Sequence, residues 1–194
     1  MERRIFLITA GAATISATGL LGAGCSTTTP DAPVDREAKK REINSAADGT
    51  LTRLYSTARG SKELADKALG ILIFPRVLAA GLVVGGEFGD GVLRTGGRAA
   101  GYYRLIGGSF GFQIGAQSQG IVLMFLTQEA LDRFRKSSGW TIGADATVSV
   151  ATVGATGEID SNTARQSIVA FALTNAGLYA GVKLDGSKIT PLDL

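Results

Sequence analysis

The sequence contains no histidine, one cysteine, one tryptophan and four prolines among its 194 residues. Without an imidazole or a second thiol there is no Ser-His-Asp or Cys-His catalysis, no thiolate or imidazole zinc site and no disulfide within the chain. Carboxylate chemistry is what remains for an enzyme. Phosphate-binding loops are missing too: no Gly-Lys pair occurs, and no G-x-G-x-x-G opens a helix inside a βαβ unit. Glu158-Ile-Asp160-Ser-Asn162 lacks the fixed glycine and terminal glutamate of a calcium loop. Two carboxylate sets have the composition a hydrolase needs, Glu87 with Asp90 and Asp145 with Glu158 and Asp160, and ordinary turn and surface acids account for both. The chain therefore reads as a non-enzyme with no cofactor and no metal. Its net charge of +3 is too small to argue for nucleic acid.

Glycine is the residue in excess: 27 of them, roughly double the usual share. From Gly81 to Thr127 a glycine recurs every few residues between Val, Ile, Leu, Phe and Tyr. β-Branched and aromatic residues at this spacing favour strands, and glycine within strands lets a sheet bend sharply or another group come close. A small, strongly curved sheet or barrel follows. The strands are expected near Gly70–Pro75, Leu82–Phe88, Gly91–Thr95, Ala99–Ile106, Ser109–Gln117 and Ile121–Leu126, then Trp140–Val153, Ser167–Leu173, Gly177–Leu184 and Lys188–Leu192. The short turns between the early ones leave no room for crossover helices, so an antiparallel meander is the economical topology. Pro75 is expected to end the first strand.

Three helices are expected around this sheet. Asp35–Ala58 places Ile43, Ala47, Leu51, Leu54 and Ala58 near one helical face, with Gly49 as the point where it would break. Ser61 is the expected N-cap of a short helix closed by Gly70. Thr127–Gly139 is the clearest helix, with Thr127 at its N-cap, basic residues in its last turn and Trp140 packed against it.

The first residues explain the lone cysteine. A basic start at Glu2-Arg3-Arg4 precedes an apolar run from Ile5 to Leu21, which ends at Leu21-Gly-Ala-Gly-Cys25. This resembles a bacterial lipoprotein export signal, in which Cys25 becomes the acylated first residue of the mature chain. Arg3-Arg4-Ile5-Phe6-Leu7 also partly matches the twin-arginine export pattern. Residues 1–24 are thus the expected signal and residues 25–34 a lipidated, proline-containing tether. Residues 35–194 form the expected folded domain.

Gly70-Ile-Leu-Ile-Phe-Pro75, Gly81-Leu-Val-Val-Gly-Gly-Glu-Phe-Gly-Asp-Gly91, Gly107-Gly-Ser-Phe-Gly-Phe-Gln-Ile-Gly-Ala-Gln117, Gly143-Ala-Asp-Ala146 and Gly177-Leu-Tyr-Ala-Gly181 occur in this order. Together they resemble the SYLF domain, a lipid-binding family. The resemblance runs from about Asp35 to the C-terminus. It implies a β-barrel core with helices on its surface and weak binding of phosphoinositides or similar anionic lipids. Eukaryotic members that remodel membranes and contact actin concentrate lipid binding in a basic N-terminal segment. The matching segment here keeps Lys39, Lys40, Arg41, Arg53, Arg59, Lys62 and Lys67, interleaved with acids.

A second basic element is the Arg94-Thr-Gly-Gly-Arg98 turn, where no acid separates two guanidiniums and the glycine amides are candidates to face a phosphate. The expected function is a monomeric lipoprotein at the periplasmic face of a bacterial envelope membrane, the outer one first, that touches anionic head groups. The alternative is a non-catalytic structural or protein-interaction module of the same envelope.

Overall fold

The computed structural model describes residues 35–81, 84–110, 117–151, 159, 162, 165–175, 177–178 and 184–194. The export signal, Cys25 and the Ser26–Val34 linker lie outside them, as do Glu158, Asp160 and most of the expected strand Ser109–Gln117. Among the described residues are three helices: α1 (Arg36–Thr57), α2 (Ser61–Lys67) and α3 (Gln128–Lys136). The strands are β1 (Gly70–Gly81), β2 (Val84–Thr95), β3 (Arg98–Phe110), β4 (Gln117–Phe125), β5 (Trp140–Thr141), β6 (Ser149–Val150), β7 (Ile168–Thr174), β8 (Gly177–Leu178) and β9 (Lys188–Pro191). The fold is α+β.

Eight strands follow the order β5-β9-β3-β2-β1-β4-β7-β6, with β8 paired to β7, and they curl into a half-barrel. Strands β1, β2 and β3 form the expected meander, but β4 pairs with the other side of β1 rather than with β3. Strand β6 joins β7 in parallel, so the sheet is not wholly antiparallel. The two strands expected between Leu82 and Thr95 are one, because Gly89 and Gly91 stay in register with Val77 and β3 instead of turning. Among the described residues of the expected strand Trp140–Val153, the strands are β5 and β6. Between them the chain turns, with Gly143 at φ 88° and the Asp145 carboxylate accepting from the Thr141 amide at 2.6 Å.

Strand β1 does not end at Pro75. Its register shifts between Ile73 and Arg76 against β2, and between Phe74 and Val77 against β4. Proline has no N–H for the ladder, and a bulge is where a central strand tolerates that loss. The extra residue also reverses the side-chain alternation. Ile73 packs beneath α1 and α2, whereas Phe74 and Val77 both enter the core on the opposite face.

The two faces of the sheet thus carry separate cores. One joins Leu72, Phe74, Leu93, Leu105, Leu123 and Phe125 to Phe134 of α3, Trp140 of β5 and Ile168 of β7. Residues from both ends of the strand order meet there, so it is the inside of the curl. The outer face packs Ile73, Val92, Val122, Met124 and Phe171 against Ile43, Ala47 and Leu54 of α1 and Leu64 of α2.

Helix α1 runs unbroken through Gly49, because Ile43, Ala47, Thr50 and Leu54 recur every three or four residues and all are buried. Tertiary burial of that stripe outweighs the modest cost of one exposed glycine. The Asp35 side chain accepts from the Ala38 amide at 3.0 Å and caps its start. Ser61 is not the cap of α2: Gly60, at φ 82°, holds that position, and the buried Ser61 hydroxyl donates to the Ala58 carbonyl at 2.6 Å. Thr127 does cap α3, accepting from the Ala130 amide at 3.4 Å. Trp140 packs edge-on against Phe134, with ring centroids 5.4 Å apart.

Candidate functional site

The basic residues singled out from sequence fall on the outer side of the sheet, along α1, at the start of α2 and at the β2–β3 turn. Most of those on the helices already have an acid within reach. Lys39 lies 3.3 Å from Glu42 and 3.9 Å from Asp90, Lys40 is 2.7 Å from Glu37, and Arg41 is 3.9 Å from Asp35. Lys62 is 2.8 Å from Asp66 and sits over the Tyr55 ring. Exposed pairs of this kind contribute little to stability, but they lower the charge available to an outside anion. Arg53 lies against β4, where a terminal guanidinium nitrogen approaches Gly120, and its Nε is buried with no hydrogen-bond partner. Arg59 is exposed just after α1.

The β2–β3 turn is a two-residue hairpin between Thr95 and Arg98. Gly96 and Gly97 have φ of 57° and 78°, the backbone that a type I′ turn requires at both positions. The turn does not present its two guanidiniums alike. Arg94 reaches back to α1, donating to the Asp48 carboxylate at 2.6 Å and to the Asn44 carbonyl at 3.2 Å, and its side chain is only 15% exposed. Arg98 is exposed and has no ion pair among the described residues. Arg94 thus fastens the hairpin to α1, and Arg98 is the guanidinium left facing solvent.

The carboxylates separate as well. Glu87 and Asp90 differ by an odd number of residues on one strand, so they project to opposite faces and make no pair. Asp90 stands outside, held by Arg104 through two hydrogen bonds of 2.8 and 3.3 Å. Glu87 is buried inside and accepts from the Ser187 hydroxyl at 2.7 Å. Gly107 stands directly opposite it on β3, and a Cβ there would run into the Glu87 carboxylate and Ser187. This glycine is space for an acid.

Burial pushes the Glu87 carboxyl above its ordinary value of 4.5, and the Ser187 hydrogen bond opposes that rise only in part. The folded chain therefore holds this proton to higher pH than the unfolded chain does. The group's stabilising contribution is complete below about pH 4.5 and is lost as pH rises through the folded pKa. Glu87→Gln removes that loss while keeping a partner for Ser187. In urea unfolding across pH, the variant is expected to gain on the parent protein as pH rises from about 4.5 through the folded pKa, and to keep that gain above it. A constant difference between the two at every pH would contradict the assignment.

Sequence reading did not single out Arg76, Arg104 or Lys188. On the outer face Arg76, Asp90 and Arg104 form one cross-strand row, and Lys188 stands opposite Ile106. The alternation that would have signalled this row is reversed at the Pro75 bulge, which only strand pairing reveals.

Residues 106–193, which begin near the end of β3 and include β4, α3 and β9, match the model of the Ysc84 family, described as Las17-binding protein actin regulator. This segment is similar to the Ysc84, or SYLF, family. A relative, the SH3 domain-containing YSC84-like protein 1 of Xenopus laevis, is 30% identical over 128 residues. That match takes in 63% of this chain and 38% of the frog protein.

Proposed function

We propose that this chain is a lipid-anchored protein of the bacterial envelope, attached through Cys25, whose SYLF domain makes a second, weak contact with anionic lipid head groups such as phosphoinositides. The observation that supports it is a surplus of free positive heads. Among the described residues Arg36, Arg59, Lys67, Arg76, Arg98, Arg135, Lys136, Arg165 and Lys188 are exposed with no ion pair, against the exposed unpaired acids Glu63, Asp145, Asp185 and Asp193. An acyl anchor holds such a domain at the bilayer, so each cation near an anionic surface needs to add only about 1 kcal/mol.

Two measurements test the two contacts. Cys25→Ser is expected to abolish fatty-acid labelling in cells; undiminished label would remove the anchor from the proposal. Residues 25–194 carrying Cys25→Ser, without the export signal, are expected to sediment with phosphatidylcholine vesicles only when they contain a phosphoinositide or another anionic lipid, and less so as salt rises. Charge reversal at Arg59 and Arg98 should weaken that binding roughly fivefold or more per site. Equal sedimentation with neutral vesicles, or none with either kind, would overturn the head-group contact. The second reading, a protein-interaction module of the envelope, is favoured by the Las17-binding description of the family. Under it, a stoichiometric protein partner would co-purify and vesicle binding would be absent.

A further inference from the structure

Three of the large apolar side chains most exposed among the described residues stand side by side. Leu78 on β1 is 46% exposed, Phe88 on β2 43% and Ile106 on β3 52%. Leu78 is the register partner of Phe88, and Phe88 that of Ile106. Partners in adjacent antiparallel strands share a face with their Cβ atoms about 5 Å apart, so the three make one continuous apolar row across the outer side of the sheet. The row continues into exposed Ser118 on β4 at one end and exposed Lys188 on β9 at the other. On one flank the next residues are Gly86 and Gly108, both exposed, which leave a backbone floor from which the apolar side chains stand out. On the other flank runs the row of Arg76, Asp90 and Arg104.

Exposed apolar rows rimmed by polar residues mark surfaces that dock, and a positive rim complements an anionic partner. Arg76, Arg104 and Lys188 border the row, with Asp90 between the two arginines and paired with Arg104; Lys39 of α1 reaches to 3.9 Å from Asp90 and is itself 3.3 Å from Glu42. Arg104 also lies over the Phe88 ring, 4.7 Å from its centroid, so a guanidinium sits at the level of the apolar row. Cations beside protruding Leu, Phe and Ile complement an interface that is negative at the head groups and apolar beneath them.

We infer that the row of Leu78, Phe88 and Ile106 enters the bilayer surface, with Arg76, Arg104 and Lys188 against the anionic head groups around it. This rests on the head-group contact proposed above and adds to it an apolar contact made by the sheet. The sheet, rather than α1, supplies the apolar part of the contact, because α1 turns its own apolar stripe inward.

The test uses residues 25–194 with Cys25→Ser as the parent, so that neither an acyl group nor the apolar run Ile5–Leu21 contributes, and vesicles of phosphatidylcholine with phosphatidylglycerol. Leu78→Ser, Phe88→Ser and Ile106→Ser combined should lower binding at least tenfold, since three apolar side chains no longer leave water. The residues are already exposed, so the thermal melt of this variant should stay close to that of its parent. Independently, Phe88→Trp should gain fluorescence that lipids brominated on the acyl chain quench, beyond any quenching of Trp140 in the parent. If the parent binds while the triple variant binds equally and the new tryptophan is not quenched, this surface is wrong and the head-group contact stands. If the parent binds no anionic vesicle, both fall together. A parent that is dimeric by light scattering, with a monomeric triple variant, would assign the row to a second copy of this chain and overturn the inference.

Discussion

Gly91→Ala is expected to destabilise the domain by about 3 kcal/mol, at the upper end of ordinary overpacking costs. For a chain of this size that lowers the melting midpoint by roughly 6–12 °C. Gly91 faces the inside of the curl, opposite the bulge that Pro75 creates in β1. An added Cβ would collide with the Ile73 carbonyl oxygen and lie 2.5 Å from Cδ1 of the Phe74 ring. Neither neighbour has an easy way out: the carbonyl belongs to the backbone of a central strand, and Phe74 is fully buried between the sheet and its core. Gly49 in α1 provides the opposite case. Nothing stands within 4 Å of a Cβ there, so Gly49→Ala should stabilise by about 0.5–1 kcal/mol through helix propensity. Circular dichroism melts of the two variants read both effects. A Gly91→Ala midpoint within about 2 °C of the parent, which is less than 1 kcal/mol, would mean that the bulge yields and the close approach is not a constraint.

Phe134→Ala should cost about 3–5 kcal/mol, the range of buried aromatic truncations. Phe134 is the hub of a ring cluster, with centroids 4.9 Å from Tyr103, 5.0 Å from Phe125 and 5.4 Å from Trp140. It is also one of only two buried residues of α3, the other being Leu131. Removing it opens a cavity beneath a nine-residue helix and leaves Leu131 as the one buried side chain that attaches that helix to the half-barrel. Because Trp140 is the sole tryptophan, its emission reports this site directly. The variant should show a red-shifted emission maximum in the folded state together with the lowered midpoint in urea. Arg133→Ala on the exposed side of the same helix breaks only the 2.7 Å pair with Glu129 and should cost no more than about 0.5 kcal/mol. Equal effects from the two substitutions would show that α3 is held by something other than the ring cluster.

The local features were legible because their causes are local. Helix α3 declared itself through Thr127, the acid in its first turn and the bases in its last, all within one stretch of chain. The apolar period of α1 marked its buried stripe, and only the break at Gly49 was misplaced, because one glycine weakens a helix less than the burial of Ile43, Ala47 and Leu54 strengthens it. The Gly96–Gly97 turn was visible as a glycine pair between strands. Pro75 misled, since a proline ends a strand unless a bulge takes up its missing donor, and whether a bulge forms depends on both neighbouring strands.

The charged surface was harder to read. The Arg94-Thr-Gly-Gly-Arg98 segment has no acid between its arginines in sequence, yet Asp48, 46 residues away, occupies Arg94. Glu87 and Ser187, 100 residues apart, form a buried hydrogen bond that no spacing announces. Leu78, Phe88 and Ile106 lie on three different strands, and each alone is an unremarkable apolar residue in an alternating run.

By itself the sequence determined the absence of imidazole and paired-thiol chemistry, the glycine-rich strand content, the three helices and the order of motifs that matches the SYLF family. These are properties of composition and of neighbours along the chain, where the periods of 3.6 and 2 and the capping residues act. Only the tertiary structure decided which face each strand turns inward after the bulge, which cations find an acid and which remain free, and which apolar side chains line up across β1, β2 and β3. Those outcomes depend on register between strands far apart in sequence, and a shift of one residue in that register would send every side chain of a strand to the other face.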